Sequence, residues 1–242
     1  MFQIQKHIKF TILLLLLTFN ICVVKAQIGD YRNDMCVGVN VGVTMNEVGF
    51  EPLIAQKMLT QPTIGLTFRY TSEKFLTAYC AFQTELNYAR LGWKEDIMNS
   101  KLEPLPDTYE RTIDYLQMPF LARLAWGKEH KGTMFYFLLG PQIGYVISDH
   151  AKKSDTWTTK FDGSADRPNS VVAQYDLAIK NKFEYGITGG VGVELNTSIG
   201  HFLVEGRYYY GLADIFGNSK RDFFSRSNHT TIVAKVSYLV DL

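Results

Sequence analysis

The stretch MCVGVNVGVTM, residues 35–45, decides the fold. Met35, Val37, Val39, Val41, Val43 and Met45 fall on one face of an extended chain. Cys36, Gly38, Asn40, Gly42 and Thr44 fall on the other. Successive side chains of a β-strand point to opposite sides, so a period of two sorts this segment into an apolar wall and a small, polar one. On a helix the same residues would be scattered around the axis. The segment reads as a strand with two unlike faces.

Seven further segments carry the same period: Thr63–Thr71, Phe75–Gly92, Ile113–Trp126, Thr133–Ile147, Phe183–Leu195, His201–Leu212 and Asn228–Leu242. Their connections alternate in length. Those around Ser72-Glu73, at Gly127–Gly132 and at Asn196–Gly200 are short. Those at Asn46–Gln61, Trp93–Thr112, Ser148–Lys182 and Ala213–Ser227 are long. An even strand number, with tight turns at one end and long loops at the other, is the layout of an outer-membrane barrel. The predicted fold is all-β, an eight-stranded antiparallel up-and-down transmembrane β-barrel with both termini on the periplasmic, short-turn side.

Alternation alone also suits a soluble barrel, and the content of the two faces separates them. The polar face is rich in glycine and small residues, with a few charges of both signs. That suits the crowded lumen of an eight-stranded barrel, which side chains just fill. A water-facing exterior would carry many long Lys and Glu side chains. The apolar face has no charge in its central part and gathers aromatic residues near the strand ends. Tyr88, Tyr145, Tyr185, Tyr208 and Tyr210 lie toward the long loops. Tyr70, Trp126, Phe135, Phe202 and Tyr238 lie toward the turns. Such girdles belong at the two lipid–water interfaces. A soluble, ligand-carrying barrel is the alternative fold.

The first residues read as an export signal. Lys6, His7 and Lys9 precede the apolar run Phe10–Phe19, and Val24-Lys25-Ala26 offers small residues at positions −3 and −1 of a cleavage site. The expected organisation is a signal peptide at 1–26 and an outer-membrane β-barrel domain at 27–242. A mean hydropathy of −0.06 is too low for several membrane helices. A net charge of +1 gives no electrostatic case for nucleic acid. The expected partners are outer-membrane lipid and, through the extracellular loops, an envelope or secretion protein.

Eight charged residues take inward positions: Arg69, Arg123, Arg207 and Lys235 against Glu85, Glu184, Glu194 and Glu205. A buried charge is costly unless paired, so four against four reads as a salt-bridge network that closes a narrow lumen. A selectivity filter is the competing reading. Ser227 and His229 share a strand face with Asp222 nearby, but one strand sets them side by side, and they read as solvated loop residues rather than a hydrolytic triad. His150 and His201 stand isolated. Asp162–Asp166 faintly resembles a calcium loop without its full ligand spacing. Cys36 and Cys80 fall on non-neighbouring strands with opposite facing, so both are expected as free thiols. No Cys or His spacing suggests a zinc site. No enzyme activity, cofactor or metal is expected.

Four segments carry a family resemblance: YLQMPFLARL (Tyr115–Leu124), FYFLLGPQIGYVIS (Phe135–Ser148), YGITGGVGVEL (Tyr185–Leu195) and HFLVEGRYYYGLADIF (His201–Phe216). ELNYARLGWK (Glu85–Lys94) matches more loosely. In their order and spacing they resemble the PorT-like outer-membrane β-barrel proteins of the Bacteroidota, a porin-family group. The resemblance implies an outer-membrane location, an eight-stranded barrel and, through the founding member, a link to protein secretion. The functional expectation is a non-enzymatic interaction or accessory component of the envelope. A small-solute channel is the alternative, followed by a lipid-modifying enzyme.

Overall fold

A computed structural model describes residues 29–155, 170–175 and 177–242. The export signal, the calcium-like Asp162–Asp166 stretch and Asp176 lie outside the described residues. Nine strands follow one another: β1 (Asp30–Glu51), β2 (Gln56–Lys57), β3 (Leu59–Phe75), β4 (Ala78–Glu95), β5 (Tyr109–Gly127), β6 (Gly132–Lys153), β7 (Phe183–Thr197), β8 (Gly200–Asp214) and β9 (Arg226–Asp241). Eight of them form a ring in which every strand pairs antiparallel with its neighbours. β1 meets β9 and β4 meets β5, so no edge is left open. The two-residue β2 is an addition to the first long loop, paired with the end of β4. A single 3₁₀ turn, Val172–Gln174, sits in the third long loop.

The eight ring strands run 15 to 22 residues, well beyond the ~9–11 that cross a bilayer. The periodicity places each strand but stops short of its ends. β1 continues past Met45 to Glu51, and β6 past Ile147 to Lys153. The reason lies in the inward face, which changes character rather than ending. Val48 and Phe50 of β1, Leu91 and Trp93 of β4, and Ile113 and Tyr115 of β5 all point into the barrel and are buried. They bury a second core above the membrane, together with Ile54, Tyr175, Phe216 and Phe224 from the loops. Phe50 packs edge-on against Trp93 at 5.0 Å and lies 5.1 Å from Phe224. Outside the same stretch the residues are polar: Glu47 and Glu51, Arg90 and Lys94, Glu110. The wall thus reverses its polarity partway up. Below, it is polar inside and apolar outside; above, apolar inside and polar outside.

One turn falls elsewhere than expected. β3 runs on through Ser72-Glu73, and the chain reverses at Leu76-Thr77, where Leu76 takes a positive φ of 54°. Ser72 is instead the extra residue of a bulge between Thr71 and Glu73, its hydroxyl donating to the Cys80 carbonyl at 3.1 Å. A bulge keeps the alternation readable on either side while shifting the register by one.

The expected facing holds on all eight ring strands. Val41, Ile64, Leu139, Val191 and Val204 are more than half exposed on the outside. Their neighbours Asn40, Thr63, Leu138, Gly190 and Leu203 face inward or sit closer in. Aromatic pairs band the outer surface: Phe202 with Tyr238 at 4.9 Å and Trp126 with Phe137 at 5.8 Å near the turns, Phe183 with Tyr185 at 6.4 Å near the loops. On β8, Phe202 and Tyr210 are eight residues apart. At a ~3.3 Å rise and ~40° tilt they differ in height by about 20 Å, consistent with girdles bounding an apolar band of about 25 Å. So large a continuous apolar exterior has no counterpart on a water-soluble monomer. With charges inside, it overturns the soluble-barrel alternative.

Candidate functional site

The lumen is built in layers. Small residues make the room: a Cβ at Gly192 would overlap the Tyr136 ring, so this position must be bare for the tyrosine to lie across the barrel. Tyr136 then donates to Glu205 at 3.0 Å and carries the Arg123 guanidinium over its face at 4.2 Å.

Seven of the eight inward charges gather into two groups. In the first, nearer the periplasm, Arg69 meets Glu194 at 2.7 Å and Arg123 meets the same carboxylate. In the second, Arg207 reaches Glu85 at 2.5 Å and Glu205 at 2.6 Å, and Lys235 reaches Glu85 at 2.6 Å. All seven are buried. Gln83 and Asn87, two residues either side of Glu85 on the inward face of β4, each donate to it at 2.9 Å.

Glu184 departs from the expectation. It is buried higher in the lumen, beside Gly144, Gly211 and Tyr209, and no basic residue reaches it among the described residues. The four-against-four count therefore does not map onto pairs. Glu194 serves two arginines, Glu85 serves Arg207 and Lys235, and Glu184 is left over. Sequence reading counts inward charges but not their height, and height decides who meets whom.

Three further expectations are corrected. Ser227 and His229 are not solvated. Both are buried in the upper lumen, because β9 begins at Arg226 and their side chains face in. His229 is held between Tyr115 at 3.1 Å and Asn46 at 3.0 Å. Asp222 lies apart in the fourth long loop, where Ser219 and Lys180 hold its carboxyl below the usual carboxylate range. The three form no triad. His201 is not isolated: its Nδ1 lies 2.9 Å from Glu194 and 2.6 Å from Asn196, and its Nε2 lies 2.9 Å from Asp241. His150 lies 3.9 Å from Asp114. Asp241 is the residue sequence reading missed. Its inward partner is Cys36 on β1, a pairing visible only once the barrel closes. Cys36 and Cys80 are both free thiols, Cys36 buried inside and Cys80 partly exposed.

Above the ion pairs a layer of uncharged polar residues, including Thr44, Thr63, Gln117, Gln142 and Thr188, surrounds a void of about 20 Å³, the space of about one water. The aromatic core closes the top. Trp93 Nε1 donates to Gln174 at 2.9 Å, and Arg111 pairs with Asp149 at 2.5 Å across the rim.

A family model described as an outer membrane protein beta-barrel domain matches residues 25–217. The chain belongs to that family. This outer-membrane barrel also aligns with solved structures along nearly their whole length. The attachment invasion locus protein Ail of Yersinia pestis shares 12% identity over 86% of this chain and 100% of its own, with a TM-score of 0.36. OprG of Pseudomonas aeruginosa shares 13% over 88% and 98%, with a TM-score of 0.44. Neisserial surface protein A shares 12% over 84% and 96%, with a TM-score of 0.34. No curated protein matches the sequence. The barrel resides in the outer membrane, in contact with its lipid.

Proposed function

We propose that this barrel is a closed, non-enzymatic interaction component of the envelope, working through its extracellular loops as an accessory to protein secretion. The observation that carries the reading is the filled lumen. Two ion-pair groups, a polar layer and an aromatic core occupy successive levels, leaving the rim as the surface free to act. On this reading Arg69, Glu85, Arg123, Glu184, Glu194, Glu205, Arg207 and Lys235 are structural, bracing the wall from within. Each long loop also presents an apolar side chain to solvent: Leu53, Leu102, Val172 and Phe223 are 79%, 68%, 47% and 53% exposed. Apolar groups ringed by polar ones suit a protein partner. The resemblance to PorT-like proteins of the Bacteroidota supports the secretion link. Residues 1–26 complete the reading as the export signal.

The test has two arms. The protein in planar bilayers is expected to give no single-channel steps, and Glu205→Gln is expected to leave that unchanged. A photo-crosslinker placed at Leu102 or Phe223 in cells is expected to trap a discrete envelope protein that a lumen or lipid-facing position does not. Regular conductance steps that Glu205→Gln enlarges would make the barrel a channel instead.

A further inference from the structure

At the periplasmic mouth three neighbouring strands point metal-binding atoms at one spot. Cys36 of β1 sits directly across from Asp241 of β9, and His201 of β8 is one inward position removed, opposite Leu239. Cys36 Sγ lies 3.1 Å from Asp241 Oδ1, and His201 Nε2 lies 2.9 Å from the same oxygen. The three donor atoms all fall within 4.8 Å of one another. They face a cavity of about 260 Å³ that opens at the barrel end.

We propose that Cys36, His201 and Asp241 form a binding site for a divalent transition metal of the zinc type. Thiolate, imidazole and carboxylate are the donors such an ion takes, usually four-coordinate, so three protein ligands leave one position for water. Zinc bonds of ~2.0–2.3 Å at tetrahedral angles set ligand atoms about 3.4–3.6 Å apart. The two separations that Asp241 Oδ1 makes, 3.1 Å to Cys36 Sγ and 2.9 Å to His201 Nε2, need to widen by only about half an ångström, and the sulfur and ring nitrogen lie within 4.8 Å of each other. Asp241 can give that distance, since its side chain is 72% exposed near the end of β9.

The surroundings support the donor set independently. Histidines that hold a metal through one ring nitrogen almost always give the other to a carboxylate or carbonyl, which fixes the ring. Here Nδ1 of His201 faces Glu194 at 2.9 Å and Asn196 at 2.6 Å. Nε2 is thereby aimed at the cluster. Arg69 is the cation closest to it. Its charge is engaged by Glu194, and its Nη2 donates to Cys36 Sγ at 3.2 Å, a hydrogen bond that a metal-bound sulfur also accepts. Binding releases two protons to water at the mouth, the Cys36 thiol proton and the Nε2 proton that His201 shares with Asp241 in the metal-free state. The spacing of Cys36, His201 and Asp241 along the chain hides the site, because only barrel closure between β1 and β9 assembles it. It lies at the opposite end from the loops and is independent of the role proposed for them.

Cobalt(II) titration of the folded barrel in detergent tests the site. Expected is one tetrahedral cobalt per chain with a thiolate-to-cobalt charge-transfer band, bleached by zinc. The band should persist in Cys80→Ser, vanish in Cys36→Ser, and need about tenfold more cobalt or greater in Asp241→Asn. Heat-modifiable gel mobility reports folding of each variant. Asp241→Asn alters an exposed side chain, so it decides the matter if Cys36→Ser fails to fold. No band at millimolar cobalt, a band that survives Cys36→Ser, or unchanged affinity in Asp241→Asn overturns the proposal.

Discussion

Replacing Glu85 by glutamine keeps the volume of the side chain and removes one charge from the centre of the lumen. Glu85 is the carboxylate that Lys235 touches, while Arg207 keeps Glu205 at 2.6 Å. Lys235 would be left with 3% of its side chain exposed and no ion-pair contact. Removing one partner of a buried pair costs about 3–5 kcal/mol, so the folding equilibrium should fall by more than about a hundredfold. Glu184→Gln is the matched control. The two carboxylates are similarly buried, at 3% and 5% exposure, but no cation depends on Glu184. Its replacement should change stability by less than about 1 kcal/mol, or raise it, since an unpaired buried charge is a burden. The assay is urea unfolding from lipid vesicles followed by tryptophan fluorescence, comparing midpoints at equal slope. Equal losses in the two variants, or a Glu85→Gln barrel as stable as the parent, would refute the reasoning that pairing, not burial, governs this lumen.

Other perturbations probe other parts of the wall. Val191→Lys, on the outward face of β7 between the girdles, should cost about 2–4 kcal/mol in lipid vesicles, and no loss would mean that β7 does not face lipid at mid-depth. Gly192→Leu should block folding into vesicles by driving into the Tyr136 ring, and Tyr136→Ala in the same chain should restore it; failure to rescue would place the conflict elsewhere. Trp93→Ala should lower stability by about 3–5 kcal/mol through the void it leaves in the upper core, read in the same urea assay, with conductance still absent because the ion-pair layers below remain.

Much of this architecture is legible before folding. Eight segments alternate, and Val191 or Val204 has only to be assigned a parity to be placed against lipid. Arg69 or Glu194 is placed inside in the same way. Parity is local, and so are the signals that fix it. Contact between inward residues is not local. Glu194 meets Arg69 from four ring strands away in sequence order, and which of several inward charges share a level depends on strand tilt and stagger, which no single strand records. The mouth cluster hides for the same reason: Cys36 and Asp241 stand at opposite ends of the chain and become neighbours only when the ring closes. The strand ends were obscured by a different effect. Past Met45 the inward face turns from Asn and Thr to Val48 and Phe50, so the pattern that marks a membrane strand fades although the strand continues.

The reversal of polarity along the wall also fixes how deep the protein sits. Sinking it by one pair of residues would carry Arg90, just above Tyr88 on the outer surface of β4, toward hydrocarbon, and Lys94 would follow on further descent. Raising it would lift Phe202, Trp126 and Tyr238 out of their interface and strand apolar wall in water. Either displacement is opposed around the whole circumference at once. The barrel therefore needs no anchor to hold its height, and the loops project from the cell surface at a constant level, as a ruler set into the bilayer would.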